Sequence, residues 1–494
     1  MMKPRHKNRI SLEGNGMDDK AADIRKDGFV IRGAANWDLL CWEMKKLWSQ
    51  PMILVFLLLC IAFQIFLAAE DRYFEPGGDY AIYVARMTKE TGRRMGREFT
   101  EAMDGAGKNM RNMDAKDETL PWEKQDGEGQ DRQKRNGQEQ VREKQDGQKQ
   151  DRQEQNEQRK EGQAQDRQDQ DGQIAAQAKR EQESLYRERF LRETADREDI
   201  FADYSCMKLA DGLLRQFYIT GLAARMMERK YEKQQEAVDL LAERKDSLDV
   251  SSAGMTQPVA DALFQTQCRM LITEAMVLAM LMALSVSGSE RTARTHLTVC
   301  VTRTGRKIRY VKAAAGLMSA LAAYGMLAVS AVGFFALIWY PAPDWGASIS
   351  SQFHHMSLAG TELPFITWKP FTIGEYLLAV VGMGSMVVML FYVLAFCLGL
   401  WIKSAWGGFV LLILLVAVNF QVIMMAGDSL QWELYLCAQW TPAGLWWSQN
   451  QWFTDMLISG AVPWQECATA ALWAALCLIL LAVSFHHMKK EDIN

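Results

Sequence analysis

The sequence predicts an all-α fold: a polytopic membrane protein with six transmembrane helices and a large extracytoplasmic helical insertion containing a low-complexity spacer. Three observations carry this. Apolar runs occupy 51–69, 270–288, 313–340, 376–400, 405–426 and 467–486, each at or near the ~20 residues that a helix needs to cross a bilayer. Lys and Arg crowd some connecting segments and avoid others. A long polar stretch, 70–269, separates the first two runs. The chain average, 49% hydrophobic and 23% charged, looks soluble only because it mixes apolar spans with a Gln-rich tract. Six such runs exclude an ordinary soluble enzyme or a secreted domain. The formal charge of -4 and the lack of a basic domain give no support to nucleic-acid binding, so no nucleic-acid partner is expected.

Charge sets the orientation. Residues 1–50 carry ten Lys and Arg and 289–312 carry seven, whereas 341–374 carry only Lys369 and 427–466 none. The positive-inside rule then places both termini in the cytoplasm and 70–269, 341–374 and 427–466 outside. The insertion is itself rich in Lys and Arg, but long loops escape the rule. The first run, 51–69, follows about fifty polar residues and is expected to act as an uncleaved signal anchor. Trp432, Trp440, Trp446, Trp447, Trp452 and Trp464 crowd the last outer loop, as expected of rings in the headgroup layer. A carbohydrate-binding aromatic patch is the sharper alternative.

The cytoplasmic segment 1–50 ends in an amphipathic helix, 37–48. Trp37, Leu40, Cys41, Met44, Leu47 and Trp48 follow helical spacing and share one face, with Glu43, Lys45 and Lys46 on more polar positions. Such a helix lies in the membrane interface, in contact with membrane lipids. Pro51 marks the turn into the first span.

The insertion has three parts. Residues 72–115 are charged, with some helical character. Residues 124–173 repeat Gln at a five-residue period. Five residues turn about 140° around a helix, so the repeat builds no stripe. Almost no apolar residue is present to repay ordering, which makes this a spacer. Residues 176–249 carry apolar positions at helical spacing and are expected to form two or three helices. No nucleophile constellation is visible.

No Cys or His cluster has metal-ligand spacing, and no cofactor is expected. Cys437 and Cys467 flank the last outer loop and are open either to pairing or to remaining thiols. Within the runs, Glu274 is the candidate intramembrane polar residue. It could line a path, bind a neighbouring polar group, or sit near the outer headgroups. Asn419 and Gln421 could hydrogen-bond another helix, and Gly316, Gly382 and Gly384 permit close packing.

The basic segment 289–312 lies between the second and third spans. It contains Glu290, Arg294 and Thr295, then Arg303, Gly305, Arg306 and Lys312. This segment resembles the loop between the second and third spans of ABC-2 type transporter permeases. Glu290 matches the family's acidic residue, Thr295 its threonine, Gly305-Arg306 its turn and Lys312 the lysine at the membrane boundary. Arg294 stands where the family usually has glycine. Glu43 and Lys46 look like the family's helix before the first span. The resemblance covers about 37–70 and 266–488, and not the Gln-rich tract.

The resemblance implies the pathway-forming subunit of an ATP-driven exporter in a bacterial plasma membrane. It would pair with a second permease subunit, alike or different, and with cytoplasmic ATP-binding cassette subunits. Glu290, Thr295, Arg303, Gly305, Arg306 and Lys312 would then form the ATPase-coupling loop. The chain has no Gly-x-x-x-x-Gly-Lys-Ser/Thr phosphate loop, so ATP hydrolysis is expected in a separate chain and this subunit is expected not to be an enzyme. The competing reading is a non-transporting receptor or scaffold that binds a surface ligand through the insertion.

Overall fold

The computed structural model describes residues 37–74, 77–92, 95, 99, 174, 177–195, 198–252, 258–292, 305–352, 363–402 and 404–491. The spacer 124–173 lies outside the described residues, as do Thr295 and Arg303. Among the described residues the fold is all-α, with two isolated β-bridges and no sheet. Among the described residues six helices are long and apolar enough to cross a membrane, which makes this a multi-pass membrane protein.

Helix α1 (37–48) runs into α2 (Pro51–Tyr73), the first span, with Pro51 at the first helical position. The insertion contributes α3 (Gly78–Thr91), α4 (177–194), α5 (Cys206–Gln216) and α6 (Gly221–Arg244). The second span, α7, begins earlier than its apolar run. It starts with Pro258–Asp261, passes through a π-helical stretch, Ala262–Gln267, and continues as Cys268–Thr292. The remaining spans are α8 (Gly305–Ile338), α9 (Ile373–Trp401), α10 (Ala405–Asp428) and α13 (Gln465–Glu491). Two short helices, α11 (Trp432–Gln439) and α12 (Pro442–Trp447), connect the fifth and sixth spans.

α7 is the hub of the bundle and packs along α9, α8, α2 and α10. Close packing depends on glycines in α8 and α9. A side chain at Gly316 would strike the Tyr392 hydroxyl, and one at Gly384 would strike Tyr324 and Ile272. These tyrosines hold the same seams by hydrogen bonds, Tyr324 donating to the Val381 carbonyl at 2.7 Å and Tyr392 to that of Ala313 at 3.1 Å. Gly382 has open space instead and makes no such contact. α10 is the least enclosed span, leaving Trp406, Val410 and Val418 exposed, as suits a lipid-facing or subunit-facing surface.

The described chain divides into two compact units. The larger contains all six spans together with α5 and α6. There Phe201, Cys206, Leu213, Met227, Tyr231 and Leu241 pack with Ile366, Trp432, Leu436 and Leu457. The α5–α6 pair thus sits on the end of the bundle that carries the loops between spans; we call this the insertion end, and the opposite one the α1 end. The smaller unit has its own aromatic core of Tyr80, Tyr83, Tyr186 and Phe190. Its Arg189 lies 4.2 Å from the Tyr80 ring centroid and pairs with Glu193 at 2.7 Å.

Candidate functional site: two buried junctions and a re-entrant hairpin

The α1 end is held by a buried ion pair. Lys312, two turns into α8, lies 3.8 Å from Glu43 of α1, and both are more than nine-tenths buried. Ser285 of α7 donates to the Gln50 side chain at 2.7 Å just beside it. At 100° per residue, Glu43 and Leu47 share the buried seam of α1, while Trp37 and Cys41 point away and are exposed. The expected apolar face is therefore split. Leu47 turns to the bundle, Trp37 and Cys41 turn outward, and Glu43 belongs to the protein-facing side rather than to water. Trp42 is also exposed, with the Lys46 ammonium 5.6 Å from its ring centroid.

Of the predicted coupling residues, Glu290 lies in the last turns of α7, and Gly305 and Arg306 open α8. Lys312 is the one with a described side chain, and it pairs with Glu43. Sequence reading singled out both residues but not their contact, because 269 positions of chain separate them and neither lies in the other's helical period.

At the insertion end a second buried cation ties α6 to the loop before α13. The Lys230 ammonium is fully enclosed. It donates to the carbonyls of Asp455 at 2.9 Å, Leu457 at 2.5 Å and Gly460 at 3.0 Å. Three donors meet three acceptors, so the charged form is fully matched. Met456 and Leu457 adopt left-handed backbone conformations, φ 54° and 45°, that bring these carbonyls together. Burial lowers the Lys230 pKa from its ordinary 10.5 to about 8, with Asp455 pulling the other way. Burial likewise pushes the neighbouring Cys206 thiol up to about 12, so it is inert as a nucleophile.

Between these ends, α11 and α12 form a re-entrant hairpin. Its turn, Trp440-Thr441, touches the middle of two spans. Thr441 donates to the Asn419 side chain at 3.0 Å, the Asn419 amide donates to the Ala438 carbonyl at 3.3 Å, and Trp473 donates to the Trp440 carbonyl at 2.8 Å. Asn419 is nine residues from the end of α10 and Trp473 eight from the start of α13, which places the turn about 12–14 Å along each helix from the insertion end. Segment 427–466 was expected to lie outside; within it, 432–447 packs against α9, α10 and α13. The local sequence dictates the turn. Thr441 caps α12 by accepting from the Gly444 amide at 3.0 Å, and Pro442 fills the first helical position. A side chain at Gly444 would collide with the Gln439 carbonyl, so glycine lets the two legs approach.

The expected aromatic belt is partly interior. Trp432 donates to the Phe217 carbonyl, Trp452 to that of Leu445, and Trp446 to the Thr273 hydroxyl at 2.9 Å. Trp446 therefore docks the returning leg of the hairpin on Thr273 of α7. Glu274 is half-buried and accepts from Gln64 of α2 at 2.7 Å, and Gln267, in the π-helical stretch, donates to the Gln64 carbonyl at 3.1 Å. Of the roles open to Glu274, binding a neighbouring polar group is the one the geometry displays. Asn419 bonds another helix, as expected of it, and that helix is α11 of the hairpin. Cys437 and Cys467 are free thiols. No group of three or more His, Cys, Asp or Glu among the described residues could hold a metal ion.

Scans of protein-family models, of curated proteins and of solved structures each found no match. The class defined by fold and site is thus a six-span helical membrane protein with a re-entrant hairpin and a packed insertion.

Proposed function

We propose that this chain is the pathway-forming permease subunit of an ABC-2 type exporter, driven by a separate ATP-binding subunit at the α1 end. The observation that carries the reading is the buried Glu43–Lys312 pair. It fastens the helix before the first span to the span that leaves the basic 289–312 segment. A push on that segment at Glu290, Thr295, Arg303 or Gly305-Arg306 would therefore reach α1 and α8 together. A rigid mechanical link of this kind serves a transmission device; a passive anchor has no need of it. The re-entrant hairpin adds support, because irregular backbone at membrane depth is tolerated where it is buried in protein or lines a water-filled cavity. The Gln64–Glu274 bond, a polar contact between the first two spans, is a candidate for the pathway wall.

The assembly would contain a second permease subunit, the same or different, and would sit in a bacterial plasma membrane with both termini cytoplasmic. The receptor or scaffold reading draws on the separate aromatic core of the insertion's smaller unit. The discriminating experiment is charge reversal of Arg306 and Lys312, followed by measurement of transport-linked ATPase activity. The proposal expects normal membrane insertion with uncoupled ATPase. Unchanged coupling would reject it.

A further inference from the structure

Below the hairpin turn, between α9, α10 and α13, lies a cavity of about 340 Å³. Its walls include Phe391, Leu398, Leu415 and Leu480, and its roof is Thr441-Pro442-Ala443. No charged residue lines it. The polar groups at its upper end, the Asn419 amide, the Thr441 hydroxyl and the Trp473 indole, are hydrogen-bonded within the protein. The site therefore offers a ligand hydrocarbon contact and almost nothing else.

Position narrows the occupant. The cavity starts at the hairpin turn, near the middle of α10 and α13, and runs along α9 from Phe391 to Trp401, the last residue of that helix. Ten residues of helix measure about 15 Å, half of a hydrocarbon core of about 30 Å. Trp401 at the lower end is half exposed, and Trp406 beside it in sequence is more so, as expected of rings at a headgroup boundary. Leu415 on the wall is also exposed, so the cavity opens sideways as well as downward. A roofed apolar slot, one leaflet long and open at its aromatic end, fits a single aliphatic chain.

We propose that this cavity holds one acyl chain of a bilayer lipid from the leaflet at the α1 end, with the headgroup outside at the level of Trp401. The chain fills the space under Thr441-Pro442-Ala443 and so props the hairpin turn. This inference does not depend on the transport reading, since a receptor of the same fold would hold the same chain.

The test uses the full-length protein in nanodiscs containing a phospholipid with a diazirine on one acyl chain. After illumination, labelled peptides are mapped by mass spectrometry. Residues 391–398 and 473–480 are expected to label more strongly than 54–66, the lipid-facing side of the first span. Leu415→Trp should fill the slot and lower the cavity label at least about tenfold, the change expected from displacing about two methylenes, while leaving 54–66 unchanged. Ala443→Phe fills the slot from the roof and serves if Leu415→Trp does not fold. Native mass spectrometry of delipidated protein should show one retained lipid, lost in the filled variant. Equal labelling of cavity and first span, label unaffected by filling, or retention of a non-lipid amphiphile in place of the lipid would each overturn the proposal.

Discussion

Lys312 and Glu43 meet at 3.8 Å in a site from which water is nearly excluded, and the contact joins the helix before the first span to the start of the third. Removing one partner of a buried pair costs about 3–5 kcal/mol, because the other charge is left without compensation. Lys312→Glu, which sets two carboxylates together, is expected to lower thermal stability in detergent and to abolish coupling. The double exchange Glu43→Lys with Lys312→Glu should recover most of both. A double exchange no better than the single variant would show that the pair does not transmit.

Lys230 makes a separate prediction about pH. Its folded pKa of about 8 lies below its ordinary 10.5, so between these values the unfolded chain binds more protons. Stability from this group is therefore complete above 10.5 and is lost as pH falls through 8. Melting curves at pH 7.5 and 9.5 should differ more for the native protein than for Lys230→Met. An identical pH dependence in the two would remove the group from the account.

The same Lys230→Met variant leaves three buried carbonyls without their donor. A buried acceptor left unsatisfied costs about 1–3 kcal/mol, at or above an ordinary point change of about 1 kcal/mol. The expected outcome at pH 7.5 is loosening of 455–460, read as faster proteolysis at that loop, with α7–α9 unaffected. Protection equal to the native protein would contradict the bonding described.

For Gln64 and Glu274 the magnitude itself is informative. Hydrogen bonds between membrane helices average about 0.6 kcal/mol, whereas bonds to a charged group contribute about 1.5–3 kcal/mol. A double-mutant cycle of Gln64→Leu and Glu274→Leu should give a coupling near the larger figure if the carboxylate is ionised in place. Zero coupling would mean that the 2.7 Å bond is not maintained.

The spans were legible in the sequence because each needs only a run of apolar residues. Gly316 and Gly384 were legible as packing sites because small residues between apolar ones have few other uses. The hairpin was not. Its residues, Trp432 to Trp447, are amphipathic and uncharged enough for an interface, and only the Thr441-Pro442 cap and Gly444 mark a turn. What places that turn at depth is Asn419 and Trp473, both distant in the chain. The Lys230 cradle was hidden for the same reason: Lys230 lies in a charged helix where a solvated lysine is the ordinary expectation, and its acceptors are backbone carbonyls, which have no sequence signature. Glu43 was assigned to the polar face because its period says nothing of a cation in another helix.

The most direct test of the central claim is purification of the natively expressed protein in mild detergent, with identification of stoichiometric partners. The account predicts a co-purifying ATP-binding subunit that carries its own phosphate loop and is lost when Arg306 and Lys312 are charge-reversed. Clean recovery with no such subunit, from membranes in which other transporter complexes stay intact, would contradict it and leave the receptor or scaffold reading in its place.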